Sequence, residues 1–144
     1  MLDLAATQTN GTHPYCVPPQ HTAKVRRQIG PKPWICVEQA VILETDAIKA
    51  RSAARQHMSF CITQLPNYRN NLKALGWRDE DFEKGCSDRL VDAIVDWGSK
   101  ENIRERIAAY LTAGATQVCI HALTADGGPL PDLRALTAVA PMQS

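Results

Sequence analysis

The order of apolar runs along this chain predicts an α/β fold built on a parallel sheet, and three observations carry that prediction. Glu38-Gln39-Ala40-Val41-Ile42-Leu43 is a short, largely apolar run ending at Thr45-Asp46, residues suited to cap a helix. A long helical pattern follows it. Later, Ser99 opens an amphipathic helix, Gly114 closes it, and Thr116-Gln117-Val118-Cys119-Ile120 runs on as a second buried strand. Helices that feed straight into short apolar strands belong to parallel sheets, because parallel neighbours need crossover helices. Such a sheet must be covered on both faces. Counting the extended segment Gly11-Thr12-His13-Pro14-Tyr15, the sequence offers three strands, too few to close a barrel.

The elements follow from local chemistry. A first helix starts at residue 2, with Leu2, Leu4, Ala5 and Ala6, and lacks a cap or a preceding strand. Pro14 disfavours helix at His13, and Pro18-Pro19 ends the extended segment. Residues 21–29 read as a basic helix ended by Gly30-Pro31. The longest helix spans 46–64: Ala47, Ala50, Ala54, Met58, Cys61 and Ile62 recur at helical spacing, opposite Lys49, Arg51, Arg55 and Gln56. Small residues on that stripe allow a close approach to a sheet. Leu65-Pro66 breaks it, and Pro66 starts another helix that runs to Leu75 and stops at Gly76. Residues 78–86 are polar and loop-like or weakly helical. Ser87 caps a short helix with Leu90, Val91, Ile94 and Val95, ending at Trp97-Gly98. The Ser99 helix presents Ile103, Ile107, Tyr110 and Leu111 on one face, and a strand over 117–122 follows. Ala125-Asp126-Gly127-Gly128 is a loop, and 131–139 is a closing helix. No low-complexity tract or fixed-period repeat interrupts this order.

Composition fits one domain of 144 residues with a real core: 44% of the chain is hydrophobic and 22% charged. A net charge of +1 from interspersed signs argues against electrostatic binding to nucleic acid or membrane. No apolar run is long enough to span a bilayer, and residues 2–6 are too short for a signal peptide. Five widely spaced cysteines without a C-x-x-C pair fit reduced thiols in the cytoplasm.

Ligands of parallel sheets bind at the carboxyl ends of the strands. That rule selects His13 and Tyr15 after the first strand, Glu44 and Thr45 after the second, and His121 and Thr124 after the third. Histidine and tyrosine there are suited to hydrogen-bond a cofactor ring, a phosphate or a substrate oxygen, while Thr45 also suits a helix cap. His13-x-x-Cys16 has no second ligand pair, so no metal site is expected. Lys24, Arg26 and Arg27 read as a solvated helix face, and Gly127-Gly128 lacks the lysine of a phosphate loop. The polar run Asn67-Tyr68-Arg69-Asn70-Asn71 opens a helix and suits a site insertion or a subunit contact. No catalytic residue is identified.

Several stretches resemble one family. Met58-Ser59-Phe60, Leu65-Pro66-Asn67-Tyr68-Arg69-Asn70-Asn71-Leu72 and Leu75-Gly76-Trp77 are similar to a segment of the luciferase-like monooxygenase superfamily. Within it, the nearest likeness is to deazaflavin-dependent oxidoreductases, which use coenzyme F-420. Gly85-Cys86-Ser87-Asp88-Arg89-Leu90-Val91-Asp92-Ala93, Trp97-Gly98-Ser99, Ala113-Gly114-Ala115 with Val118-Cys119-Ile120, and His13-Pro14-Tyr15 with Val17-Pro18-Pro19 and His21-Thr22 resemble the same group. The resemblance implies a (β/α)8 barrel, of which this chain is similar to the carboxyl-terminal part, the last three strands with their helices. Met1-Leu2-Asp3-Leu4-Ala5-Ala6 resembles the helix after the fifth strand. By that likeness, cofactor contacts carry over only to the first strand end, at Gly11, His13 and Tyr15.

The resemblance implies hydride transfer between reduced deazaflavin, alternatively reduced FMN, and an organic substrate. The alternative is a non-catalytic half-barrel that self-associates or pairs with a separately encoded amino-terminal half, because open strand edges favour pairing. A stand-alone α/β binding protein is a third reading. It asks for a neighbour to satisfy the first helix.

Overall fold

A computed structural model of the chain describes residues 2–140, with all side chains except those of Phe60, Thr63 and Gln64. Met1 and the Phe60 side chain, both part of the family likeness, lie outside the described residues. The fold is mixed α/β, with seven α-helices and an open sheet of four strands among the described residues. In chain order these are α1 (Leu2–Thr7), β1 (Gly11–Thr12), α2 (Pro19–Ile29), β2 (Trp34–Ile42), α3 (Ala47–Gln64), α4 (Pro66–Lys73), α5 (Asp88–Ile94), β3 (Asp96–Trp97), α6 (Lys100–Thr112), β4 (Gln117–Leu123) and α7 (Leu133–Val139). A short 3-10 turn, Asp79–Phe82, lies between α4 and α5.

Every strand pair is parallel, as the alternation of helices and strands predicts. β2 is the centre. β4 runs along residues 36–42 of one edge, while β1 pairs with Trp34 and Ile35, and β3 with Val41 and Ile42, on the other edge. Several boundaries differ from the sequence reading: β1 covers only Gly11–Thr12, α2 begins at Pro19, α4 ends at Lys73 and α7 begins at Leu133. β2 begins four residues earlier than the apolar run, at Trp34, because the pairing with β1 extends it. Asp96–Trp97, read as the end of a helix, forms a fourth strand held by two residue pairs.

Alternation along β2 divides the core. Ile35, Val37 and Val41 point to one face, under α2, α6 and α7, where Val25, Ile29, Ile103, Tyr110 and Ala135 pack. Ala40 and Ile42 point to the other face, under α3, α4 and α5, with Ala50, Ala54, Met58, Ile62, Leu72 and Leu90. Each fully buried Val or Ile of β2 contributes on the order of 1.5–3 kcal/mol of transfer free energy. Crossovers that step toward β4 use the first face, and the one that steps back to β3 uses the second. Helices thus cover both faces of the open sheet.

Capping explains the helix starts. Asp46, not Thr45, caps α3: its carboxylate accepts from the amides of Ile48 (2.9 Å) and Lys49 (3.2 Å). Ser99 caps α6 in a reciprocal box with Asn102. α2 and α4 begin at prolines, where no amide hydrogen is needed.

The basic cluster of α2 is not uniformly solvated. Arg26 donates to the carbonyls of Gly114 (3.0 Å), Gly30 (2.7 Å) and Pro33 (2.8 Å), and to Thr116 Oγ1 (3.2 Å). It ties the end of α2 to the turns that launch β2 and β4. Gly114 makes room for its stem, since a Cβ there would meet Arg26 Cγ at 2.7 Å.

Candidate functional site

The site forms at the carboxyl end of β1. Gly11 lets β1 lie directly against β2: a Cβ would stand 2.1 Å from the Trp34 carbonyl oxygen. Gly11 thus positions the strand rather than contacting a ligand through a side chain. His13 is exposed, and its Nδ1 hydrogen-bonds the Cys36 carbonyl oxygen. A carbonyl only accepts, so Nδ1 carries the proton of this bond. Tyr15 is half-buried, and burial, with Glu38 next, holds its phenol well above the ordinary range, so the hydroxyl stays protonated.

These three residues line a single cavity of about 600 Å³. Its other walls include Asn67, Tyr68 and Asn71 of α4, Leu2, Leu4 and Ala5 of α1, and His21. Tyr68 meets Tyr15 edge-on, with ring centroids 6.4 Å apart. His21 Nδ1 is buried without a hydrogen-bond partner among the described residues, and burial, with Lys24 nearby, lowers its pKa and keeps the ring neutral. A volume of 300–1,000 Å³ with an apolar lining and a few convergent polar groups is typical of small-molecule sites.

Behind Tyr15 lies a second group. Glu38 of β2 and His121 of β4 share a face of the sheet, because Glu38 pairs with Cys119 and Ala40 with His121 in the parallel register. α3 lies over that face, and the alanine stripe Ala50-Ala54 brings it close enough for His57, three residues on, to reach the strands. The rings of His57 and His121 meet at right angles, with centroids 4.9 Å apart. His121 Nδ1 stands 3.4 Å from Glu38 Oε1, and Tyr15 Oη 3.4 Å from His57 Nε2. Burial pushes the Glu38 carboxyl up to about 7, against a hydrogen bond from the Cys16 amide. Burial and the neighbouring His121 push His57 down to about 4, so its ring is neutral at pH 7. Glu38, His57 and His121 bring three metal-type donor atoms within 4.8 Å of one another.

The other strand ends resolve differently. Glu44 accepts from the Asp46 amide, and Thr124 Oγ1 from the Gly128 amide, so both brace turns. Thr45 borders a cavity of about 390 Å³ beside β3 and the start of α6 whose acids are already paired, Asp96 with Arg106 and Asp92 with Arg51. His121 lies inside β4, not after it. The His13 Nδ1 is engaged by the Cys36 carbonyl, and Cys16 is buried.

Glu38 and His57 are absent from the sequence-level candidates. The signal for Glu38 was a carboxylate inside a run otherwise built for a buried parallel strand. For His57 it was a histidine on the alanine stripe of α3. Compared with protein-family models, with curated proteins and with solved structures, the chain matches none.

Proposed function

We propose that this domain binds a planar organic cofactor in the cavity over Gly11, His13 and Tyr15, and that the cofactor is a deazaflavin of the coenzyme F-420 type, with FMN as the alternative ring. The observation that carries the reading is convergence. His13 and Tyr15, selected as strand-end residues, and Asn67, Tyr68 and Asn71, selected as a polar run on another element, line one cavity. The cavity supports binding, and the likeness to luciferase-like enzymes supports the redox chemistry and the carboxyl-terminal barrel segment as its ancestry. A bound deazaflavin would supply hydride transfer to or from a small organic substrate. The chain's own task is orientation: His13 Nε2 forms a hydrogen bond, Tyr15 Oη and the Asn67 and Asn71 amides donate, and Leu2, Leu4 and Val17 exclude water. Five unpaired thiols support a reducing compartment such as the cytoplasm, and no described helix is long and apolar enough to cross a membrane.

The test is a fluorescence titration with deazaflavin and with FMN. Saturable binding above the low-micromolar range is expected, because one strand end and one helix supply the polar contacts. His13→Ala is expected to weaken binding by about 3- to 10-fold, the net worth of one ordinary hydrogen bond, with the melting temperature nearly unchanged. An absence of saturable binding by either ring system sinks the reading.

A second reading, association through an open sheet edge, is favoured by β4. Its outer edge has no strand partner among the described residues, and most of its residues are only partly covered. The occupant would be another copy of the chain or a separately encoded amino-terminal half.

A further inference from the structure

We propose that Glu38, His57 and His121 together bind one divalent first-row transition-metal ion, with zinc the best match, beside the Tyr15 wall of the cavity. The inference stands independently of which organic ligand the cavity takes. One carboxylate and two imidazoles form the donor set of open zinc sites, in which a fourth position is left to water or substrate. The same set suits other imidazole-preferring ions, whereas calcium and magnesium call for more oxygen donors.

The geometry supports it in three ways. First, the donor atoms all lie within 4.8 Å of one another. An ion about 2.1 Å from each would hold them about 3.4 Å apart, so the widest pair closes by on the order of 1 Å through side-chain rotation. Second, Glu38 Oε1 is buried and has no hydrogen-bond donor among the described residues, although His121 Nδ1 is only 3.4 Å away. A buried carboxylate oxygen left without a partner is costly, and a cation satisfies it. Third, the His121 side chain is 46% exposed while Glu38 is 8% exposed, so the cluster has an anchored floor and an open mouth. An ion enters from the mouth and keeps a position for water.

The surroundings match what a metal site requires. The Glu38 backbone amide donates to the Pro14 carbonyl (3.0 Å), which ties the β2 position that carries the carboxylate to the His13–Val17 segment. The competing account is a polar cluster that merely fastens α3 to the sheet. Contacts of 3.4 Å make poor fasteners.

The experiment uses the full chain stripped with a chelator. Zinc binding is followed by calorimetry, and cobalt binding by visible absorption. One zinc per chain is expected with a dissociation constant below about 1 µM, together with d–d bands of nitrogen and oxygen coordination. Zinc should also raise the melting temperature in a concentration-dependent way. His121→Ala, at a half-exposed position that leaves the core intact, should weaken zinc binding by more than about 10-fold and abolish the thermal shift. Glu38→Gln should do the same. The double variant Cys36→Ser/Cys119→Ser should bind zinc as the parent does. A lack of saturable zinc binding, an unchanged affinity in His121→Ala, or a thiolate-to-cobalt charge-transfer band that vanishes in the cysteine variant would each overturn the proposal.

Discussion

Replacing Gly11 with alanine should separate β1 from β2 and dismantle the cavity. The new methyl would lie 2.1 Å from the Trp34 carbonyl oxygen and 2.7 Å from the Trp34 carbonyl carbon and amide nitrogen. All three are backbone atoms of the central strand, so relief has to come from β1. A retreat of about 1 Å takes the 2.8 Å bond from the Trp34 amide to the Asn10 carbonyl beyond hydrogen-bonding range. The same movement strains the pairing of Thr12 with Ile35 and the contact of His13 with the Cys36 carbonyl. Two or three such bonds at about 1 kcal/mol each give a loss of about 3 kcal/mol. For a domain of this size that lowers the melting temperature by roughly 10 °C. Thermal unfolding followed by circular dichroism measures it, with Thr12→Ala as the reference for side-chain loss on the same strand. Amide exchange at Trp34 should accelerate in the glycine variant and not in the reference. A Gly11→Ala protein that melts within about 2 °C of the parent and keeps Trp34 protected would refute the close-approach account.

Arg26→Met keeps the apolar stem but deletes donors to three carbonyls and one hydroxyl, and should cost about 3 kcal/mol in urea denaturation. A loss under about 0.5 kcal/mol would restore the solvated-face reading. Asp96 gives a pH dependence: burial, only partly offset by Arg106 at 3.3 Å, raises its pKa from 3.8 to about 6. The folded state then holds its proton more tightly than the unfolded chain, so this contribution is complete below pH 4 and lost as pH rises through 6. Up to about 3 kcal/mol is at stake, and Asp96→Asn should flatten the stability profile over that window. An unchanged slope in the variant would assign the titration elsewhere. The open edge of β4 predicts concentration-dependent association in sedimentation velocity, reduced by Val118→Lys on the half-covered edge strand; a monomer at all micromolar concentrations would remove the second functional reading.

Element order was legible because its signals are local. Ser87, Ser99, Gly30, Gly114 and the prolines at the starts of α2 and α4 act through neighbours a few residues away. Asp96–Trp97 was not legible, since two residues carry no period and pair only because β2 continues past the edge covered by β1. The side on which each helix packs was hidden for a related reason: crossover direction is decided by the whole sheet. The strand-end rule found the cavity from His13 and Tyr15 because cavity walls tend to form where strands stop. It missed Glu38 and His57 because these lie within elements, and only register and helix placement bring them to His121, which the rule did select.

The segment from His13 to Val17 explains why chemistry belongs here rather than elsewhere on the sheet. It is too short to hold a shape by itself, yet it is anchored at three points. The His13 ring bonds the Cys36 carbonyl, the Pro14 carbonyl accepts from the Glu38 amide at 3.0 Å, and the Val17 carbonyl accepts from the buried Tyr110 hydroxyl at 2.5 Å. Cys16 takes a φ of 52°, a conformation that costs a non-glycine residue on the order of 1 kcal/mol. Strain of that kind persists only where surrounding contacts fix it. The consequence is a rigid turn that presents Tyr15 to two places at once, the cavity wall and His57. A ligand in the cavity and an ion on the histidines would therefore meet through one phenol whose position is set before either arrives. Preorganisation lowers the ordering cost of binding at both places. Mutations at the anchors, Tyr110→Phe above all, should consequently weaken both ligands together while leaving every direct contact residue in place.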